Sequence, residues 1–258
     1  MNNNRIANAF LGKKAFIGFV TGGDPSIEKS EEFILELVRG GTDLVEIGVP
    51  FSDPVAEGPT IAAANARALE AGTTLEGLFG LVESLRRKTD VPIVFLTYLN
   101  PVFRYGYERF FARCAKSGVD GAILPDLPFE EKEEAERYAR PHHVDVISLV
   151  APTSKERVQK IAAEAAGFLY VVSSMGVTGA RGAIETDLKE LMRLVRAASK
   201  IPAAIGFGVH TPEQAREIAK IADGVIVGSG IVEIIARLGE NAGPELCRYA
   251  KAMKEAMA

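Results

Sequence analysis

The chain has 258 residues, 47% of them hydrophobic and 25% charged, and a formal net charge of −4. That composition supplies ample material for a core and excludes extensive disorder, and it offers no basic field of the kind nucleic-acid binding uses. Two cysteines, Cys114 and Cys247, lie far apart in helical patterns and make neither a disulfide framework nor a zinc spacing, so a reducing compartment is the default.

In chain order, MNNNRIANAF lacks the apolar core of a signal peptide, and no stretch reaches the roughly 18 unbroken apolar residues of a membrane span. The expectation is a cytoplasmic protein with no membrane or nucleic-acid partner. Arg5 to Leu11 reads as a short extra helix, placed to plug the bottom of a barrel. Eight apolar runs follow: AFIGFVT from Ala15, DLVEIG from Asp43, PIVFLTY from Pro92, GAILP from Gly121, DVISLV from Asp145, FLYVV from Phe168, AAIGFG from Ala203 and GVIVG from Gly224. Each is bounded by Gly, Pro or polar residues, as strands are. Amphipathic spacing between them, as in Glu31 to Arg39, Glu130 to Arg140, Lys155 to Ala165 and Pro212 to Ile221, predicts helices.

Strict strand–helix alternation through eight units of about 30 residues predicts an α/β fold, a (β/α)8 TIM barrel with a short extra N-terminal helix. Residues 1–258 are read as one barrel domain, since no linker or charge block divides them. A doubly wound open sheet is the alternative. Its usual GxGxxG after the first strand is missing, because that run continues into TGGDP.

In such barrels the active site lies at the C-terminal ends of the strands. Glu46 sits inside the second apolar run, where an ionised carboxylate costs several kcal/mol unless it has a partner or a task. Glu57 follows in a Pro- and Gly-rich loop. Tyr98 and Asn100 are read at the end of the third run, Asp126 at the end of the fourth and Tyr170 within the sixth, whereas Lys13, Lys14, Lys200, His142 and His143 precede strands. No strand-end lysine is present for a Schiff base, and His210 alone on the loop side does not make a metal site. Carboxylate acid/base chemistry with no metal and no cofactor is the expectation.

Three consecutive glycine-rich loops follow the last three runs. SMGVTGARGA suits a closing lid. Gly206-x-Gly208 leads into a Thr211-Pro212 helix start, and Gly228-Ser229-Gly230 opens another helical pattern. Backbone N–H groups left open at such helix starts bind phosphate, and the last two loops of a barrel are a frequent phosphate site. A phosphorylated small substrate is predicted.

These motifs resemble the α subunit of tryptophan synthase, from about Arg5 to the C-terminus. The likeness rests on FVTGGDP (19–25), VEIGVPFSDPVAEGPT (45–60), TYLNP (97–101), PDLPFEE (125–131), SMGVTGARG (174–182), GFGV (206–209) and VGSGIV (227–232). The resemblance implies a carbon–carbon lyase that cleaves indole-3-glycerol phosphate to indole and glyceraldehyde 3-phosphate without a cofactor. Indole then passes to a β subunit that uses pyridoxal phosphate, in an α2β2 heterotetramer. It implies Glu46 as general acid/base and Glu57 as the carboxylate facing the indole nitrogen. Phe19, Tyr98, Leu124 and Tyr170 are implied around the indole, Thr178 in the closing loop, and Gly179, Gly208, Gly228 and Ser229 at the phosphate. The family usually carries Asp at the position of Glu57, and the extra methylene implies a loop backbone set slightly further from the indole. Phe51 to Ala56 and Asn100 to Tyr105, the latter exposing Phe103, Arg104 and Tyr105, are implied as the β-subunit surface. Two other readings stay open: another phosphate-binding barrel enzyme, such as an indole-glycerol phosphate synthase or a sugar-phosphate isomerase or epimerase, and a non-catalytic or weakly active regulatory partner of a β chain.

Overall fold

The computed structural model describes residues 4–172, 181–206 and 208–258. Helix α1 (Arg5–Phe10) precedes β1 (Ala15–Thr21), α2 (Ile27–Arg39), β2 (Leu44–Gly48), α3 (Pro59–Glu70), α4 (Leu75–Arg86), β3 (Ile93–Leu96), α5 (Leu99–Tyr105) and α6 (Tyr107–Ser117). The chain continues through β4 (Gly121–Ile123), α7 (Glu133–Ala139), β5 (Asp145–Ile147), β6 (Leu149–Val150), α8 (Lys155–Ala163), β7 (Leu169–Val172) and α9 (Arg181–Ala198). It ends with β8 (Ala203–Gly206), α10 (Pro212–Ala219), β9 (Gly224–Val227), α11 (Ser229–Leu238) and α12 (Gly243–Ala256).

All paired strands are parallel, in the order β5-β4-β3-β2-β1-β9-β8-β7-β6. Segments β5 and β6 are the two halves of the fifth apolar run, broken at Ser148, whose carbonyl accepts the Tyr170 N–H at 3.0 Å. The two edges of the ladder are therefore one continuous piece of chain, and the sheet closes as an eight-stranded (β/α)8 barrel. The ladder places Phe19 opposite Glu46, and Glu46 opposite Val94.

The apolar residues form two main shells, as alternate pointing along each strand requires. The outer shell, including Phe33, Leu37, Phe79, Phe95 and Val195, lies between strands and helices. The inner one joins Ile17, Leu44, Val94, Ile123, Phe168 and Tyr170 inside the barrel to Ile6, Ala9 and Phe10 of α1. Helix α1 thus plugs the bottom, as its sequence predicts, and burial of Ile6 and Phe10 is worth roughly 1.5–3 kcal/mol each. Gly224 at the start of β9 admits the plug, since a Cβ there would stand 3.0 Å from the Phe10 ring.

Lys13 and Lys14, which precede β1, serve the scaffold. Lys13 and Lys254 both pair with Asp43 at 2.6 Å, and Lys14 caps the Ala222 carbonyl at 2.7 Å. No helix among the described residues is long and apolar enough to cross a membrane.

Candidate active site

At the C-terminal mouth of the barrel lies a cavity of about 390 Å³, walled by Phe19 of β1, Glu46 of β2, Glu57, Ile61 of α3, Tyr170 of β7 and Gly228 and Ser229 at the start of α11, among others. Glu46 is buried at 1% exposure. Its Oε1 has no hydrogen-bond partner among the described residues, and burial pushes its pKa up from 4.5 to about 8. At pH 7 it is mostly a neutral acid, which a hydrogen-bonded or ion-paired structural carboxylate would not be. Burial, with a smaller push from the nearby Glu46 charge, holds the Tyr170 phenol well above its usual range.

Glu57 approaches from the loop after β2 and is half-buried. Its Oε2 accepts a hydrogen bond from Nδ2 of Asn65 at 2.6 Å. Burial raises its pKa and the Asn65 bond lowers it. The same loop is fixed to Tyr98, whose hydroxyl accepts the Ala56 N–H at 3.0 Å and whose ring lies 5.4 Å from that of Phe51.

Of the two helix starts expected to bind phosphate, one is closed. Thr211 Oγ1 accepts the Gln214 N–H at 3.3 Å, and Gln214 Oε1 accepts the N–H groups of His210 and Thr211 at 2.8 and 3.0 Å. This capping box consumes donors at the start of α10 that the sequence reading left open. Helix α11 differs: its N-cap is Gly228, with no side chain capping it. Its uncapped start and positive dipole end border the cavity beside Gly208, whose φ is +74°, so an anion is favoured there.

The structure therefore brings Phe19, Glu46, Glu57, Tyr170, Gly208, Gly228 and Ser229 into one cavity. Tyr98 and Leu124 are not among the residues lining it. Tyr98 lies beneath the loop, and Leu124 belongs to the outer shell and faces a neighbouring cleft. Thr178, Gly179 and the rest of residues 174–180 of the proposed lid lie outside the described residues, and its last three residues open α9. Strand β3 ends at Leu96, so Asn100 falls within α5 rather than at a strand end. Tyr105 turns inward instead of outward: its hydroxyl bonds Glu76 and its ring lies 5.9 Å from that of Phe79. Phe103 and Val55 remain as exposed apolar groups, at 68% and 80%.

Other strand-end acids serve the scaffold. Asp126 accepts the Leu99 N–H at 2.9 Å, capping α5, and buried Asp24 takes a two-pronged bond from Arg67 at 2.8 and 2.6 Å. Sequence reasoning missed Asn65 and Ile61. The signal for Asn65 was a polar residue on the Ala64–Ala68 buried face of α3, in the second turn of the helix that directly follows the acid-bearing loop.

The arrangement pairs a neutral acid in an apolar cavity with a second carboxylate, and sets an anion site against the same cavity. That suits proton transfer to and from a phosphorylated substrate.

A family model described as tryptophan synthase alpha chain matches residues 7–258. The chain is 46% identical over 254 residues to the tryptophan synthase alpha chain of Lacticaseibacillus casei, covering 98% of this chain and 96% of that protein. It is 47% identical over 257 residues to that of Caldanaerobacter subterraneus subsp. tengcongensis, with 98% and 96% covered. Tryptophan synthase subunit alpha from Legionella pneumophila superposes with a TM-score of 0.90 at 35% identity, covering 98% of each chain. A chain from the tryptophan synthase α2β2 complex of Pyrococcus furiosus superposes with a TM-score of 0.85 at 34% identity, covering 93% of this chain and 98% of that one.

Proposed function

The chain belongs to the tryptophan synthase alpha chain family, and on that footing we propose that its cavity cleaves indole-3-glycerol phosphate to indole and glyceraldehyde 3-phosphate. The observation that carries this reading is Glu46, a buried acid with an oxygen unpartnered among the described residues and a pKa pushed up to about 8, sharing a cavity with a second carboxylate and an uncapped helix start.

The protonated carboxyl of Glu46 delivers its proton to indole C3, which makes the ring electron-poor. The resulting carboxylate then removes the hydroxyl proton from the adjacent side-chain carbon. The O–H electrons form the aldehyde C=O, the carbon–carbon bond breaks, and its electron pair restores the aromatic ring. Glu46 ends as it began. Glu57, as a carboxylate, accepts the indole N–H and stabilises positive charge while C3 is protonated. Phe19 and Tyr170 supply flat apolar walls that keep water from the transfers. Gly208 and the Gly228–Ser229 start of α11 hold the phosphate, with Gly179 assigned to the same end, and Thr178 to the closing loop near the catalytic acids, by family likeness. Tyr98 serves this site by holding the loop.

The same reading places the protein in the cytoplasm, as one barrel domain, seated on a tryptophan synthase β subunit in an α2β2 assembly. The exposed side chains of Val55 and Phe103 suit such a contact. Purified protein incubated with indole-3-glycerol phosphate, with and without β subunit, tests the proposal. Indole release abolished by Glu46→Gln supports it, and a folded protein that binds substrate yet releases no indole even with β subunit present refutes it.

A further inference from the structure

The Glu57 carboxylate is reached by two elements with different effects. Tyr98 anchors the backbone one residue before it, through the Ala56 N–H at 3.0 Å. The carboxylate itself meets only one hydrogen-bond donor among the described residues, Nδ2 of Asn65 at 2.6 Å. Asn65 is 3% exposed, on the second turn of α3, between the buried Ala64 and Ala68. A primary amide on an otherwise apolar helix face is costly to bury without a task, and a packed helix gives it little freedom to move.

We propose that Asn65 is a positioning residue for Glu57: its amide fixes one carboxylate oxygen against α3 and leaves the other for the N–H of the ligand. The proposal rests on the reading that Glu57 faces the indole nitrogen. A glutamate has one more rotatable bond than an aspartate, and a loop-borne acid without a fixed partner samples several rotamers, few of them productive. The short charge-assisted bond selects one. Burial raises the Glu57 pKa and this bond opposes the rise, favouring the ionised form that a carboxylate accepting an N–H requires. Among the described residues, the other titratable groups around it are Glu46 and Tyr170, which share the cavity, and Tyr98 beneath the loop. Glu46 is neutral below about pH 8, and both tyrosines are pushed up above their usual range, so none supplies the positive charge that Asn65 partly replaces.

The test is a cycle of four proteins: wild type, Asn65→Ala, Glu57→Gln and the double variant, each with its kcat followed against pH. Asn65→Ala is expected to lower kcat by about tenfold or more, as loss of a bond to a charged group does, and to move the acid limb of its profile to higher pH. In the Glu57→Gln background the same change should have little further effect. Equal losses in both backgrounds, with the acid limb unmoved, overturn the proposal in favour of a purely structural amide. If Asn65→Ala does not fold, Asn65→Leu, of similar size, without a donor and adding no charge, takes its place. A wild type without lyase activity would refute the functional reading, not the positioning role. In that case carbon-13 NMR titration of labelled glutamate, with Glu57 identified by its loss in Glu57→Gln, decides: a higher Glu57 pKa in the Asn65 variant supports the role, and an unchanged titration overturns it.

Discussion

The ring of Phe19 lies against Gly48 on the neighbouring strand so closely that a Cβ on Gly48 would stand 2.6 Å from its Cζ. Any side chain at the end of β2 therefore pushes this ring into the cavity it walls. Gly48→Ala should raise KM for indole-3-glycerol phosphate by about tenfold, since a shift near 1 Å in such a wall costs on the order of a hundredfold at most. Steady-state kinetics check this, and an unchanged KM would show that the ring can retreat elsewhere.

If Glu46 is the first proton donor, as proposed, it should set the alkaline limit of activity. Its free-enzyme pKa of about 8 means that kcat/KM should fall above that pH as the acid is lost. A rate that stays flat to pH 9 would remove Glu46 as the first proton donor.

The same group links stability to pH. In the unfolded chain Glu46 ionises near its ordinary 4.5, whereas the folded protein keeps its proton until about 8. Between those values the unfolded state binds fewer protons, so the contribution of Glu46 to stability is full below pH 4.5 and declines as pH rises to 8. Glu46→Gln has no proton to lose. Urea unfolding should show it gaining on wild type between pH 5 and 8, by up to several kcal/mol, while losing all lyase activity. A constant difference across that range is the contrary result.

The pair Asp24–Arg67 should respond unequally to truncation. Asp24 has a side chain exposed by 2% and Arg67 one exposed by 36%, so removing the arginine strands a buried charge while removing the aspartate frees a guanidinium that reaches water. Arg67→Ala is expected to cost about 3 kcal/mol and Asp24→Ala clearly less, as measured by thermal unfolding.

Ser229→Asp places a carboxylate in the uncapped first turn of α11. It should lower affinity for inorganic phosphate at least tenfold and stabilise the fold by roughly 0.3–1 kcal/mol. Calorimetric titration with phosphate reads the first effect, and undiminished binding would move the anion site away from this helix.

Much of the architecture was legible because strand and helix periodicities are local properties. The run from Ala15 became β1 without change of boundary, and Arg5 to Leu11 became α1 with its last residue released. Glu46 could be singled out because an acid in a buried strand violates the pattern around it. The features that escaped depend on residues distant in sequence. Asp126 caps α5 from 27 positions away, and Arg67 meets Asp24 across 43. The closing of α10 was a shorter-range miss: Gln214 at the third helical position was visible, and its amide, not water or a ligand, takes the donors. Tyr98 was assigned to the indole by likeness, and only the fold shows its hydroxyl turned to the Ala56 backbone.

The plug formed by Ile6 and Phe10 shares one apolar cluster with Tyr170, which also lines the cavity. The barrel is thus a well with a sealed floor. A ligand reaches Glu46 from the mouth, where the cavity lies, and not through the plugged end. On the proposed reading, a β subunit seated on that rim would lie in the path of the apolar product as well as over the site.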